Sequence, residues 1–320
     1  MSRITYYKIA AVWAVGLMWL GSSQAAPLQL VATTTIVADT VKKVGGERVA
    51  VTALMGPGVD PHLYRASAGD LTSLRRSQSV FYSGLHLEGK MADVLAQLPG
   101  LALGECLDPK QLINAPSFPG SHDPHIWFDV ALWSQTVPCV QKELTRLDPA
   151  GASYYQAQAQ AYQAELAELD TWVKSQIAQL PPERRVLVTA HDAFHYFGRA
   201  YGLEVIGLLG VSTAAEASAS DVAELAQTIA TRKIPAIFVE TSVPQRYIEA
   251  LQAAVKARGF ETKLGPPLFS DALGPADGPA GTYIDMVKTN VQNIVSSLEE
   301  PWNQPSKSEI SRSLTASTWP

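Results

Sequence analysis

Cysteine is nearly absent: Cys106 and Cys139 are the only two among 320 residues. Two thiols so far apart exclude a zinc site built from cysteines. In an oxidising compartment they pair; otherwise they remain buried free thiols, and their spacing leaves both readings open. Long apolar runs are missing too. The run over residues 9–20 is too short for a comfortable membrane span. Positive charge is not in excess, with 25 Lys and Arg against 30 Asp and Glu and a formal charge of −5. That balance argues against nucleic acid as a partner and offers no basic membrane patch. No Gly-x-Ser-x-Gly elbow, phosphate loop or dinucleotide fingerprint occurs, and no short-period repeat.

What is present begins with an address. Arg3 and Lys8 precede the apolar run, and Gly-Ser-Ser-Gln-Ala-Ala follows it. A charged start, a short apolar core and small residues describe a signal peptide over 1–26, cleaved near Ala25 or Ala26. No cysteine lies near that point, so lipid attachment there is not expected. Losing Arg3 and Lys8 takes the formal charge from −5 to −7. The expected product is a soluble periplasmic protein acting as a monomer.

The stretch 148–182 organises the rest. Asp148 suits an N-cap and Pro149 the first helical position, while Pro181 and Pro182 stop a helix. Tyr155, Ala159, Tyr162, Leu166, Leu169, Val173, Ile177 and Leu180 recur at steps of three and four. They predict one apolar stripe on a helix about 45 Å long, enough to join two lobes. On either side, strands and helices alternate, which predicts two parallel-sheet α/β lobes. The expected division is a first lobe over 27–148, a linking helix over 149–182 and a second lobe over 183–300. The Ser/Pro/Asn-containing tail, 301–320, is expected to be disordered. In the first lobe helices are expected over 87–98 and from about 130 to 147. In the second, a strand over 185–189 runs into a helix ending at Gly202, and a later strand spans 261–264.

Histidines in special contexts carry the candidate chemistry. His62 and His125 each end an Asp-Pro-His sequence, where proline restricts the backbone and fixes the direction of the imidazole. His191 follows a buried strand, and Asp271 sits in a Pro/Gly-rich loop of the second half. Three imidazoles and one carboxylate suit a divalent transition ion, zinc first and manganese second. Glu240, at the end of a strand, reads either as an acceptor that orients a ligand histidine or as a structural carboxylate. His86 reads as a structural or rim residue, and Pro124 argues against a helical face shared by His122 and His125. His191-Asp-Ala-Phe-His195 has the spacing of a zinc protease helix with Asp in place of Glu. The alternative function is therefore a secreted zinc hydrolase using His191 and His195. His195 has three possible roles, as outer neighbour, fifth ligand or exposed side chain, and exposure is the expected one.

The longer motifs resemble a known family. They are Gly-Val-Asp-Pro-His62-Leu-Tyr, Gly-Leu-His86-Leu-Glu-Gly-Lys, Asp-Pro-His125-Ile-Trp-Phe-Asp, Arg-Val-Leu-Val-Thr-Ala-His191-Asp-Ala-Phe, Gly-Val-Ser-Thr-Ala-Ala-Glu-Ala-Ser and Leu-Phe-Ser-Asp271-Ala. In this order they resemble the cluster 9, or TroA-like, metal-binding subunits of bacterial ABC importers, over about 28–298. The resemblance implies two α/β lobes joined by one backbone helix with a metal between them. It implies His62 and His125 as ligands from the first lobe, and His191 and Asp271 from the second. It also implies no enzymatic activity, and delivery of the zinc or manganese ion to a membrane permease. Three features bear on the match. The family usually has Gly where this chain has His195. Its dedicated zinc-uptake members often carry a His/Asp-rich loop, whereas 109–122 holds one histidine here. Its manganese-dedicated members often have Glu at the position of His191.

Overall fold

The computed structural model describes residues 26–115 and 121–299. The expected leader, apart from its last residue, and the expected tail 301–320 lie outside them. The first half builds a four-stranded parallel sheet from β1 (Leu28–Ala32), β2 (Val49–Ala53), β3 (Ser79–Tyr82) and β4 (Gly100–Ala102), in the order β2-β1-β3-β4. Helix α1 (Thr35–Gly45) starts where the Thr34 hydroxyl accepts the Val37 amide, and stops at Gly46, whose φ of 52° favours glycine. Helix α2 (Ala68–Arg76) opens with a reciprocal cap between Ser67 and Asp70.

Two helical expectations are shortened. The helix expected over 87–98 reduces to α3 (Ala92–Leu95). Its first part is captured by Glu88, which is fully buried and accepts the Ser83 and Gly84 amides and the Thr33 hydroxyl. Those bonds pull 83–88 into a tight loop, with Leu85 and His86 at positive φ. The helix expected up to Leu147 divides into α4 (Val130–Ser134) and α5 (Val137–Leu147). Pro138 lies in the first turn of α5, where its missing N–H costs nothing. A disulfide between Cys106 and Cys139 ties α5 to the turn after β4, with their Cα atoms 6.3 Å apart.

Helix α6 (Ala152–Ile177) is the spine. Its 26 residues give a length of about 39 Å, shorter than expected. Residues Pro149–Gly151 form a 3-10 turn instead of its first turn. Asp148 does not cap the helix; its carboxylate accepts bonds from Arg48 and from the Tyr155 hydroxyl. The whole predicted stripe from Tyr155 to Leu180 is buried. It packs against α1, α4 and α5 of the first half and α10 (Tyr283–Glu299) of the second. One apolar cluster therefore runs from Leu30 and Phe81 through α6 to Leu187 and Phe238. Such a shared core resists large hinge motion.

The second half pairs β5 (Val186–His191) with β6 (Glu204–Leu209), and β7 (Ala236–Glu240) with β8 (Lys263–Leu268), all parallel. The pairs meet along β5 and β7. Helices α7 (His195–Tyr201), α8 (Ala219–Arg232) and α9 (Arg246–Lys256) complete it. Strand β8 runs on past 264 through Pro266 and Pro267, which an edge strand tolerates because one side needs no donor. Gly198 of α7 allows the chain to fold back closely: a Cβ there would stand 2.6 Å from the Leu203 carbonyl oxygen and 2.8 Å from Val205 Cγ2. Gly198→Ala gains about 1 kcal/mol of helix propensity but overpacks this contact, for an expected net loss of about 1–2 kcal/mol. A urea midpoint that stays in place or rises would contradict the close packing.

Candidate metal centre

Two of the four candidates stand at the carboxyl ends of strands, the usual ligand edge of open α/β sheets, and the other two are brought to them by loops. His62 lies in the loop after β2, and Asp271 in the loop after β8. His125 precedes the short turn Ile126–Phe128. His191 is the last residue of β5. Each Asp-Pro-His sequence makes the same local turn. The Asp60 carboxylate accepts the His62 amide at 2.8 Å, and the Asp123 carboxylate accepts the His125 amide at 2.9 Å. Proline alone was expected to aim these imidazoles; the aspartate two residues earlier is the second half of the device.

The four side chains converge. One donor atom from each of His62, His125, His191 and Asp271 lies within 4.8 Å of all the others. His125 Nε2 stands 3.3 Å from His191 Nε2. Asp271 Oδ1 stands 3.5 Å from His125 Nε2 and 3.6 Å from His191 Nε2. Donors arranged tetrahedrally at about 2.0–2.1 Å from one zinc ion would be about 3.3–3.4 Å apart. His62 Nε2 and Asp271 Oδ1 are buried with no hydrogen-bond partner among the described residues. A buried polar atom left so is costly, and a cation satisfies both. The residues present therefore fit a small divalent ion.

Outer groups orient the donors. Asp123 Oδ1 lies 2.7 Å from His125 Nδ1. Glu240 accepts the His191 amide at 2.8 Å, and its other oxygen lies 2.6 Å from His191 Nδ1. Of the two roles open to Glu240, orienting a ligand histidine is the one the geometry supports. Both contacts leave Nε2 as the inward-facing nitrogen. Ser242 donates to Asp271 Oδ2 at 2.8 Å, leaving Oδ1 for the centre. Glu240→Gln removes the carboxylate behind His191, and zinc affinity should fall about 10–100-fold. Calorimetric titration checks this, and undiminished affinity would show that the carboxylate does not tune the histidine.

Electrostatics match that arrangement. Burial pulls His62 down to about 3, so its imidazole is neutral. Burial would also lower His191, but the Glu240 and Asp271 carboxylates outweigh it and raise this residue well above the ordinary range. In His125, burial is outweighed by Asp123 and then Asp271, which raise it. Burial would raise Asp271, yet His191 and His125 hold it well below the carboxylate range. The carboxylate is thus ionised, and a cation bound there would take the place of protons on the histidines.

His195 is not simply exposed. It is half-buried at the start of α7, with Nδ1 3.3 Å from Asp123 Oδ2 and Nε2 3.6 Å from Asp192 Oδ1. Nor do His191 and His195 share a helical face, since one ends a strand and the other begins the helix after it. The hydrolase alternative loses its structural basis there. His86 and His122 line the rim of a cavity of about 370 Å³ that reaches His62, with Lys90 beside them. Asp60, Asp123 and Ser242 carry roles that the sequence did not single out, and Asp192, weighed there only as a protease base, instead accepts the Gly207 amide and stands beside His195. For Asp60 and Asp123 the repeated Asp-Pro-His was an available signal; Ser242 joins the site only through tertiary contact.

The chain is similar to known proteins over most of its length. The zinc-binding protein TroA of Treponema pallidum (strain Nichols) is 47% identical over 302 residues, spanning 90% of this chain and 97% of its own. The manganese-binding lipoprotein MntA of Bacillus subtilis (strain 168) is 42% identical over 283 residues, 87% of this chain and 92% of its own. The solved structure of the periplasmic zinc-binding protein TroA from Treponema pallidum superposes with a TM-score of 0.83, covering 86% of this chain and 100% of that one. The model of the family described as zinc-uptake complex component A, periplasmic, matches residues 30–297. With that match over most of its length, and with relatives 47% and 42% identical, the chain belongs to the ZnuA family of periplasmic zinc-uptake components.

Proposed function

We propose that this protein captures a divalent transition ion outside the cytoplasm and delivers it to the permease of an ABC importer. Zinc is the preferred cargo and manganese the second. His62, His125, His191 and Asp271 hold the ion. The observation that carries this reading is the convergence of four buried donors within 4.8 Å of one another, with His125, His191 and Asp271 3.3–3.6 Å apart, close to the spacing of a tetrahedral zinc shell. The names of the relatives, one zinc-binding and one manganese-binding, support the same pair of ions. The exported product starts after cleavage near Ala25 or Ala26 and works as a monomer. It has a first lobe over 27–148, a link over 149–182 and a second lobe over 183–300. A saturated tetrahedron leaves no position for a catalytic water. The zinc-loaded protein is accordingly expected to show no peptidase turnover.

Choice of metal follows from donor chemistry. Imidazole suits zinc better than manganese, and zinc stands above manganese in intrinsic affinity for such a site. In competition titrations of the metal-free protein, zinc should displace manganese, and manganese should not displace zinc at equal concentration. The reverse order would show that shell geometry overrides donor softness.

A further inference from the structure

The two Asp-Pro-His sequences share more than a turn. In each, one carboxylate oxygen is used within the first lobe and the other faces the second. Asp60 Oδ1 accepts the His62 amide, and Asp60 Oδ2 accepts the Thr213 hydroxyl at 2.6 Å. Asp123 Oδ1 serves the His125 amide and imidazole, and Asp123 Oδ2 faces His195 Nδ1 at 3.3 Å. A carboxylate only accepts, so the imidazole nitrogen is the donor. Thr213 follows β6, and His195 opens α7. The adjacent Tyr196 hydroxyl also donates to the Asp123 backbone carbonyl at 2.9 Å, so the first turn of α7 grips this aspartate twice.

The consequence concerns release. Two donors of the centre come from the first lobe and two from the second, so the ion leaves only when the lobes shift or a loop moves. Any shift that separates Thr213 from Asp60, or α7 from Asp123, also frees the carboxylate that pins a ligand histidine's backbone. Lobe contact and donor placement are thereby one mechanical unit on each side of the ion.

We propose that Thr213 and His195 are positioning residues of a paired latch, which act through Asp60 and Asp123 to slow metal release without touching the ion. This rests on the metal-binding reading above. Both bonds end on carboxylates, so the loss of either is felt as the loss of a charge-assisted hydrogen bond. The shorter Thr213 bond should matter more.

The test uses the full exported chain loaded with cobalt(II), whose visible absorption reports the coordination shell. Release to excess chelator is followed by stopped flow in Thr213→Val, Thr213→Ser, His195→Phe and His195→Asn. The Val and Phe variants should release cobalt about tenfold faster, the scale of one hydrogen bond to a charged acceptor. The Ser and Asn variants, which keep a donor near the same position, should return toward the parent rate. The absorption bands should stay in place throughout. Unchanged rates in the Val and Phe variants, acceleration that Ser and Asn do not rescue, or shifted bands would overturn the latch. Failure of the unsubstituted protein to take up cobalt would instead overturn the metal-binding reading, and the latch with it.

Discussion

Saturating zinc should raise the melting temperature of the metal-free protein by roughly 10 °C. The ion binds the folded state, and at a thousandfold excess over its dissociation constant it contributes about 4 kcal/mol. For a chain of this size each kcal/mol moves the midpoint by roughly 2–4 °C. The structural reason is specific. His62 Nε2 and Asp271 Oδ1, one from each half of the molecule, are buried without hydrogen-bond partners among the described residues. An ion bound there would satisfy both and link the loop after β2 to the loop after β8. Scanning calorimetry with zinc and with chelator measures the shift. A midpoint unmoved by zinc and by manganese would mean that no ion bridges the halves.

His191→Ala should weaken zinc binding by at least about a hundredfold. Structural zinc sites gain on the order of 10–16 kcal/mol from four ligands, so one donor accounts for roughly 3 kcal/mol or more. The fold should survive, because Glu240 also accepts the backbone amide of residue 191, which alanine retains. Stability should still fall, since the second Glu240 oxygen loses its imidazole neighbour in a buried setting. Calorimetric titration of the variant, with circular dichroism to confirm folding, separates the two effects. Unchanged zinc affinity in a folded variant would remove His191 from the centre.

Long periodic signals were the most legible. The α6 stripe is complete in the structure because an amphipathic face of this length leaves little freedom in register. Helix α8 starts where its own sequence says, because the reciprocal cap between Ser218 and Asp221 is local. Local reading failed where a distant or buried group decides the backbone. Glu88 turns 83–88 away from a helix by bonds to Thr33 and to amides, and none of that is periodic. The three-residue strand β4 is defined by pairing with β3 more than by its own composition. The candidate donors stood out through their motifs, yet they are scattered from residue 62 to residue 271. Only the folded chain brings their atoms within one coordination shell. His195 was misread because what holds it, the outward oxygen of Asp123, belongs to the other half of the chain.

The most direct measurement is anomalous diffraction at the zinc edge from crystals of the zinc-loaded protein. One peak is expected between the lobes, about 2.0–2.1 Å from Nε2 of His62, His125 and His191 and from Oδ1 of Asp271. A peak bound instead by His191 and His195 with a water ligand, or a peak away from these four residues, would contradict the proposed centre.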